Sequence, residues 1–313
     1  MEILYIDPFA GVSGDMFLGA LVDLGVDFDD LREALRSLDV KGFDLRLTET
    51  KRHQIAATKI DVIVEDMPHP HRHLNDLLAI VEKAPLSDIV KELSCAALAR
   101  LAVAEARAHD MPIDQVHLHE VGGLDCLVDI VGTILGVESL GVQRIYSAPV
   151  AVGSGTVRCS HGVMPVPAPG TLAILENFPV RRTQIPYEMT TPTGAALIAT
   201  LADPIDGSVV LTPRNIGHGA GTRDSPEIAN FLRLIHATAD PRHLPGYEYD
   251  EEHDHDHEHG ECCGGHGHCH DHEHDHEHEH DHEHSHEHEH GGCCGGHGHC
   301  HEHDDEHEHP HSH

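Results

Sequence analysis

Apolar positions in the first 246 residues fall into short blocks whose period switches between two and about 3.6. Ile3–Ile6 is an apolar run that predicts a strand. A loop with Gly11 and Gly14 follows, and the spacing then predicts a helix from about Asp15 to Leu24. Asp27–Leu38 repeats the helical period. Residues 43–64 hold two alternating runs around a polar turn, the pattern of a hairpin. The stretch DMPHPHRHL then reads as a loop with three close histidines. Helices are predicted over Leu74–Glu82 and Ser87–Ala108, with Ser87 placed as a cap. An extended piece around His117 passes into a helix starting near Leu124. Residues 144–176 predict two strands, a proline-rich loop and a helix. Residues 188–203 predict a threonine-rich turn and a helix, and residues 215–237 a glycine loop and a last strand. Helices and strands are interspersed, so the fold class is mixed α/β (α+β).

The pattern stops beyond residue 246. Residues 251–313 contain 25 of the 36 histidines, six of the nine cysteines and 20 of the 54 acids, but no Lys, Arg, aliphatic or aromatic side chain. A segment with nothing apolar to bury cannot offset its ordering entropy, so 247–313 is expected to be a disordered His/Asp/Glu/Cys-rich tail. Residues 1–246 are long enough for one core domain, or for two subdomains with cores of their own.

The net charge of −34 divides nearly along the same line: residues 251–313 carry −20 and the remaining 250 residues −14. Nucleic acid is not an expected partner, because phosphate contacts need clustered Lys and Arg. The charge suits cations. No stretch approaches the roughly 20 apolar residues of a bilayer span, and the N-terminus lacks a basic leader, so a cytoplasmic protein is expected. Cys95, Cys126 and Cys159 stand apart in sequence, which fits a reducing compartment.

Four segments of the core carry candidate chemistry. In DPFAGVSGD, Ser13, Gly14 and Asp15 open a helix, where free amides and the helix dipole favour an anion. Asp7 and Asp15 are alternatively placed to hold Mg²⁺ against a phosphate, and the same residues also suit a plain capped turn. No Lys follows, so this is not a Walker A loop. In HLHEVGGLDCLVD, His117 and His119 lie on one side of an extended run, Glu120 follows, and Asp125 and Asp129 share a helical face. Two imidazoles and three carboxylates in thirteen residues suit a divalent metal or general acid–base work. His161, after Cys159, is a candidate ligand, a base or a turn residue. In EMTTPTGAAL, Thr190, Thr191, Thr193 and Gly194 precede a helix and present hydroxyls and amides to a phosphate or carboxylate, or simply cap it. The glycine loop GHGAGTRD adds His218 and Arg223 as anion contacts.

The tail repeats the unit CCGGHGHCH at Cys262–His270 and Cys293–His301. Cys262, Cys263, His266, His268, Cys269 and His270, and again Cys293, Cys294, His297, His299, Cys300 and His301, supply thiolates and imidazoles suited to Ni, Zn, Cu or Co. Many near-equivalent sites make a labile reservoir, whereas catalysis needs a fixed geometry.

Together, DPFAGVSGDMFLGALVDLG, HLHEVGGLDCLVDIVG, SHGVMPVPAPGTLAIL and EMTTPTGAAL resemble the nickel insertion protein of nickel-pincer cofactor biosynthesis, the LarC family, over most of residues 1–236. The resemblance implies a cytoplasmic enzyme, a metal-inserting lyase. It would put Ni²⁺ into pyridinium-3,5-bisthiocarboxylic acid mononucleotide, forming a nickel–carbon bond and nickel–sulfur bonds, to give the cofactor of lactate racemase-type enzymes. CTP with Mg²⁺ or Mn²⁺ is consumed in that family. The resemblance also implies a base such as His119 or Glu120 for the ring proton. Full-length members carry a nucleotide-binding domain after the histidine-rich stretch. The present sequence ends at His313 within that stretch, so a separate C-terminal nucleotide-binding polypeptide, or a truncated product, is expected. The competing expectations are a non-catalytic nickel store or metallochaperone, and a hydrolase or transferase whose metal the tail supplies.

Overall fold

A computed structural model describes residues 1–65, 72–116, 123–159, 162–205 and 209–245. The elements in chain order are β1 (Glu2–Asp7), α1 (Gly14–Leu24), α2 (Phe28–Arg36), β2 (Phe43–Arg52), β3 (Ile55–Val64), α3 (Leu74–Lys83), α4 (Asp88–His109) and α5 (Leu124–Ser139). They continue with β4 (Arg144–Ser147), β5 (Val150–Val152), β6 (Thr156–Cys159), β7 (Gly162–Pro165), α6 (Pro169–Ile174), β8 (Val180–Arg182), α7 (Pro192–Leu201), β9 (Asp203–Pro204), β10 (Leu211–Ala220) and β11 (Phe231–Ala239).

Seven strands form a mixed sheet in the order β2-β3-β10-β11-β1-β4-β9. β1 pairs antiparallel with β11 and parallel with β4. Its side chains alternate: Leu4 and Ile6 join the main apolar cluster with α1, α4, α5 and α7, while Ile3 faces a smaller cluster with Tyr146 and Leu244. The fold is α+β, as the interspersed pattern indicates.

Local chemistry explains most boundaries. The β2–β3 hairpin turns at His53 and Gln54, both with positive φ (47° and 69°), which matches the twist of two antiparallel strands. Asp27 caps α2 by accepting from the amides of Asp29 and Asp30 at 2.9 Å, and Ser87 caps α4 by accepting from Val90 N at 3.1 Å.

Two expectations need correction. Residues 144–165 form four short strands rather than two, distributed over three sheets: β4 joins the main sheet, β5 pairs with β8, and β6 with β7. Pro149 separates β4 from β5, and Gly155 and Gly162, both at positive φ, separate the next pieces. The second correction concerns Asn215–Ala220, which is the end of strand β10 and not a glycine loop. Its glycines serve a close approach: a Cβ on Gly217 would lie 2.1 Å from Ala20 O, and one on Gly219 1.8 Å from Met16 O. Helix α1 therefore rests directly on the β10 backbone. No helix among the described residues is long and apolar enough to cross a membrane.

Candidate functional site

Helices α1, α5, α6 and α7 all present first-turn residues to one cavity of about 700 Å³, and the last turn of α4 closes one side of it. Ser13, Gly14 and Asp15 come from α1, Asp125 and Asp129 from α5, Gly170 and Thr171 from α6, and Thr191 and Thr193 from α7. Val157, Cys159 and Met164 of the β6–β7 hairpin supply another wall.

The helix starts are tied to one another. Thr191 N donates to Val12 O at 3.0 Å, and Thr191 Oγ1 caps α7 by accepting from Gly194 N at 3.2 Å. A Cβ on Gly194 would sit 2.3 Å from Val12 O, so α7 can start only this close to α1 if residue 194 is glycine. Thr193 Oγ1 lies 3.5 Å from Cys126 Sγ, which links α7 to α5.

Asp15 is held on both oxygens. Oδ1 accepts from Ser13 Oγ and from Met16 N at 2.9 Å; Oδ2 accepts from Thr222 Oγ1 at 3.1 Å and lies 3.7 Å from Lys59 Nζ. Asp129 is packed against Gly14, where a Cβ would fall 2.3 Å from its Oδ2. Its Oδ1 is shut off from solvent and has no hydrogen-bond partner. Burial pushes the Asp129 carboxyl well above the usual range; Asp15 and Asp125 add to this, and Lys59 opposes it. Burial likewise raises the Cys126 thiol, which stays neutral and unreactive.

Six carboxyl side chains line the cavity among the described residues: Asp15, Asp61, Glu105, Asp125, Asp129 and Glu188. Four helix N-termini favour anions in the same space. The cavity is thus suited to a cation and an anionic molecule together. No group of three or more His, Cys, Asp or Glu with the arrangement of a metal site occurs among the described residues.

Of the residues singled out in the sequence, the structure brings Ser13, Gly14, Asp15, Asp125, Asp129, Thr191 and Thr193 into one wall. Gly194 stands behind that wall, its amide engaged by Thr191. Asp7 does not line the cavity. It is in an ion pair with Arg233, whose Nε donates at 3.1 Å, so it is not placed to share a Mg²⁺ with Asp15. His218 and Arg223 do not line it either: the His218 ring stacks edge-on to Phe231 at 4.8 Å, and Arg223 lies over the Tyr187 ring at 4.6 Å. His117, His119, Glu120, His161 and the tail units Cys262–His270 and Cys293–His301 lie outside the described residues.

Sequence reasoning did not single out Glu105, His109, Thr171, Glu188, Lys59 or Thr222. Glu105 and His109, 3.4 Å apart, are an i,i+4 pair that reads in sequence as an ordinary helix face. Thr222 lies in the glycine loop whose His and Arg drew attention instead.

Residues 4–288 match the family described as nickel insertion protein. The chain is 45% identical over 239 residues to a putative nickel insertion protein of Wolinella succinogenes, covering 76% of this chain and 60% of that protein. It is 41% identical over 244 residues to the pyridinium-3,5-bisthiocarboxylic acid mononucleotide nickel insertion protein of Geobacillus kaustophilus, covering 75% and 59%. The chain therefore spans about three fifths of the length of these relatives. No solved structure matches.

Proposed function

This chain belongs to the nickel insertion protein family, and from that premise we propose that it inserts Ni²⁺ into pyridinium-3,5-bisthiocarboxylic acid mononucleotide. The observation that carries the reading is the meeting of four helix N-termini with six carboxyl groups around one cavity. The mononucleotide brings a phosphate and two thiocarboxylates, which suit helix N-termini and the hydroxyls of Ser13, Thr191 and Thr193. Nickel brings two positive charges, which suit the carboxyl groups. Asp125 and Asp129 stand inside this wall, and the sequence puts His119 and Glu120 only a few residues before them.

In this reading residues 1–246 are the insertion domain. Residues 247–313 gather nickel on the two CCGGHGHCH units and the intervening His-acid repeats. The protein works in the cytoplasm. We extend the proposal to CTP, with Mg²⁺ or Mn²⁺, as the nucleotide of the reaction, handled by a C-terminal nucleotide-binding polypeptide.

The test is to incubate the full chain with the mononucleotide, CTP and Ni²⁺, alone and with the C-terminal two fifths of the Geobacillus relative, and to look for the nickel adduct by mass spectrometry. Product in either mixture supports the reading. Absence of product in both, with nickel still bound, supports a carrier or store instead.

A further inference from the structure

We infer that Glu105 and His109 of α4 receive the Ni²⁺ that enters the cavity, an inference that rests on the insertion reading above for the identity of the metal. Both side chains line the cavity, and Glu105 Oε2 lies 3.4 Å from His109 Nε2. They stand one turn apart on α4, so the helix itself holds the two donors side by side. Divalent first-row ions bind imidazole nitrogen and carboxylate oxygen at about 2.0–2.2 Å, which sets neighbouring donors roughly 3 Å apart. One ion therefore fits between the pair with little movement. His109 binds through the lone pair of Nε2, as the neutral imidazole with its hydrogen on Nδ1.

The placement of this pair separates it from the other lining carboxyl groups. Among the described residues, α4 alone of the helices at the cavity brings its C-terminal end there. The last carbonyls of a helix lack helical partners and carry partial negative charge, which favours a cation. Asp15, Asp125 and Asp129 stand at the positive ends of α1 and α5, where the anionic mononucleotide is favoured instead. Asp15 is also bonded on both oxygens. Asp61 is held by Lys59 and Arg46, whose charges repel a metal ion. Glu188 accepts from Thr171 at the start of α6. Glu105 is the carboxyl group with a negative helix end and an imidazole beside it.

The cavity is thereby divided, with an anion held at the helix starts and the metal at the end of α4. Imidazole suits nickel. Two protein donors leave the other coordination positions to water, so the ion is held weakly. That suits metal in transit: the sulfurs of the mononucleotide replace the waters, and the pair then lets the ion go.

Residues Met1–His253 are a compact unit with a core of their own, so a chain ending at His253 separates this site from the imidazoles of the tail. The test compares that chain with its His109→Asn and Glu105→Gln variants. The control is Arg107→Gln, which removes an exposed pair with Glu176 on the same helix. Each is titrated with Ni²⁺ alone by calorimetry, while NMR of the histidine side chains shows which imidazole the paramagnetic ion broadens. Insertion is then measured with the mononucleotide, CTP and the C-terminal part of the Geobacillus relative, at limiting and saturating Ni²⁺. Even indirect support of a metal ligand is typically worth 10–100-fold in affinity, so each cavity variant should bind Ni²⁺ at least ~10-fold more weakly. Arg107→Gln should bind like wild type, and the His109 signal should broaden. Insertion by the cavity variants should fall at limiting nickel and recover at saturation. Nickel affinity within a few-fold of wild type in both cavity variants, or a His109 signal that nickel leaves sharp, overturns the inference, and product from the wild type still leaves the insertion reading standing. An equal loss in Arg107→Gln also overturns it, because the effect would then be structural. Nickel bound at the pair with no product from the wild type supports the metal site and overturns the insertion reading.

Discussion

Replacing Gly219 by alanine tests the seat of α1 on β10. The new methyl would lie 1.8 Å from Met16 O, 2.5 Å from Ala20 N and 2.8 Å from Met16 C. All three are backbone atoms of a buried helix, so no side chain can swing aside. Overpacking of this kind costs about 1–3 kcal/mol, and rigid neighbours put Gly219→Ala at the upper end. The loss of unfolded-state freedom returns about 0.4–1 kcal/mol. A net cost of about 2–3 kcal/mol lowers Tm by roughly 4–12 °C in a domain of this size. The control is Gly170→Ala. There the methyl would meet only Glu105 Oε1 at 3.6 Å, an ordinary contact, so Tm should hold or rise. Both variants are to be melted by calorimetry beside wild type. Melting of Gly219→Ala within ~2 °C of wild type, less than 1 kcal/mol at this size, would refute the close-approach argument.

Three further outcomes are expected. Asp129→Asn should melt higher than wild type at neutral pH. A raised folded-state pKa gives stability that is complete below the ordinary aspartate value of about 3.9 and is lost as pH rises from there toward the raised value. The gap between variant and wild type should therefore close as pH falls to about 4, and a gap that widens on acidification would contradict the burial argument. Thr191→Ala removes the α7 cap and should cost about 1 kcal/mol, with Thr191→Ser largely restoring it; unchanged Tm in the alanine variant counts against the capping role. The tail should bind several Ni²⁺ per chain, with affinity falling as the imidazoles protonate below pH ~6.5; calorimetric titration showing at most one tight site would rule out a reservoir.

The parts of this molecule legible in sequence are those set by local rules. The hairpin over residues 43–64, the cap Ser87, and the helices from Leu74, Asp88 and Leu124 follow from period, capping chemistry and turn residues. Ser13, Gly14, Asp15, Asp125, Asp129, Thr191 and Thr193 fall in one wall because glycines, threonines and acids at helix starts announce themselves, whereas the candidates Asp7, Gly194, His218 and Arg223 do not line it. Long-range packing was not legible. The glycines 217 and 219 look the same in sequence whether they loosen a loop or admit a helix, and only the position of α1 decides. Glu105, Glu188 and Thr222 reach the cavity from elements far apart in the chain, so no local motif marks them.

The central claim is that the core carries out insertion and the tail supplies nickel to it. It is tested most directly by comparing product formation by the full chain and by a chain ending at Pro245, each with the mononucleotide, CTP and the C-terminal part of the Geobacillus relative, across limiting to saturating Ni²⁺. The account predicts equal product at saturating nickel and a deficit in the shorter chain only when nickel is scarce. Loss of product in the shorter chain at every nickel concentration, with its fold intact, would place the chemistry in the tail and contradict the account.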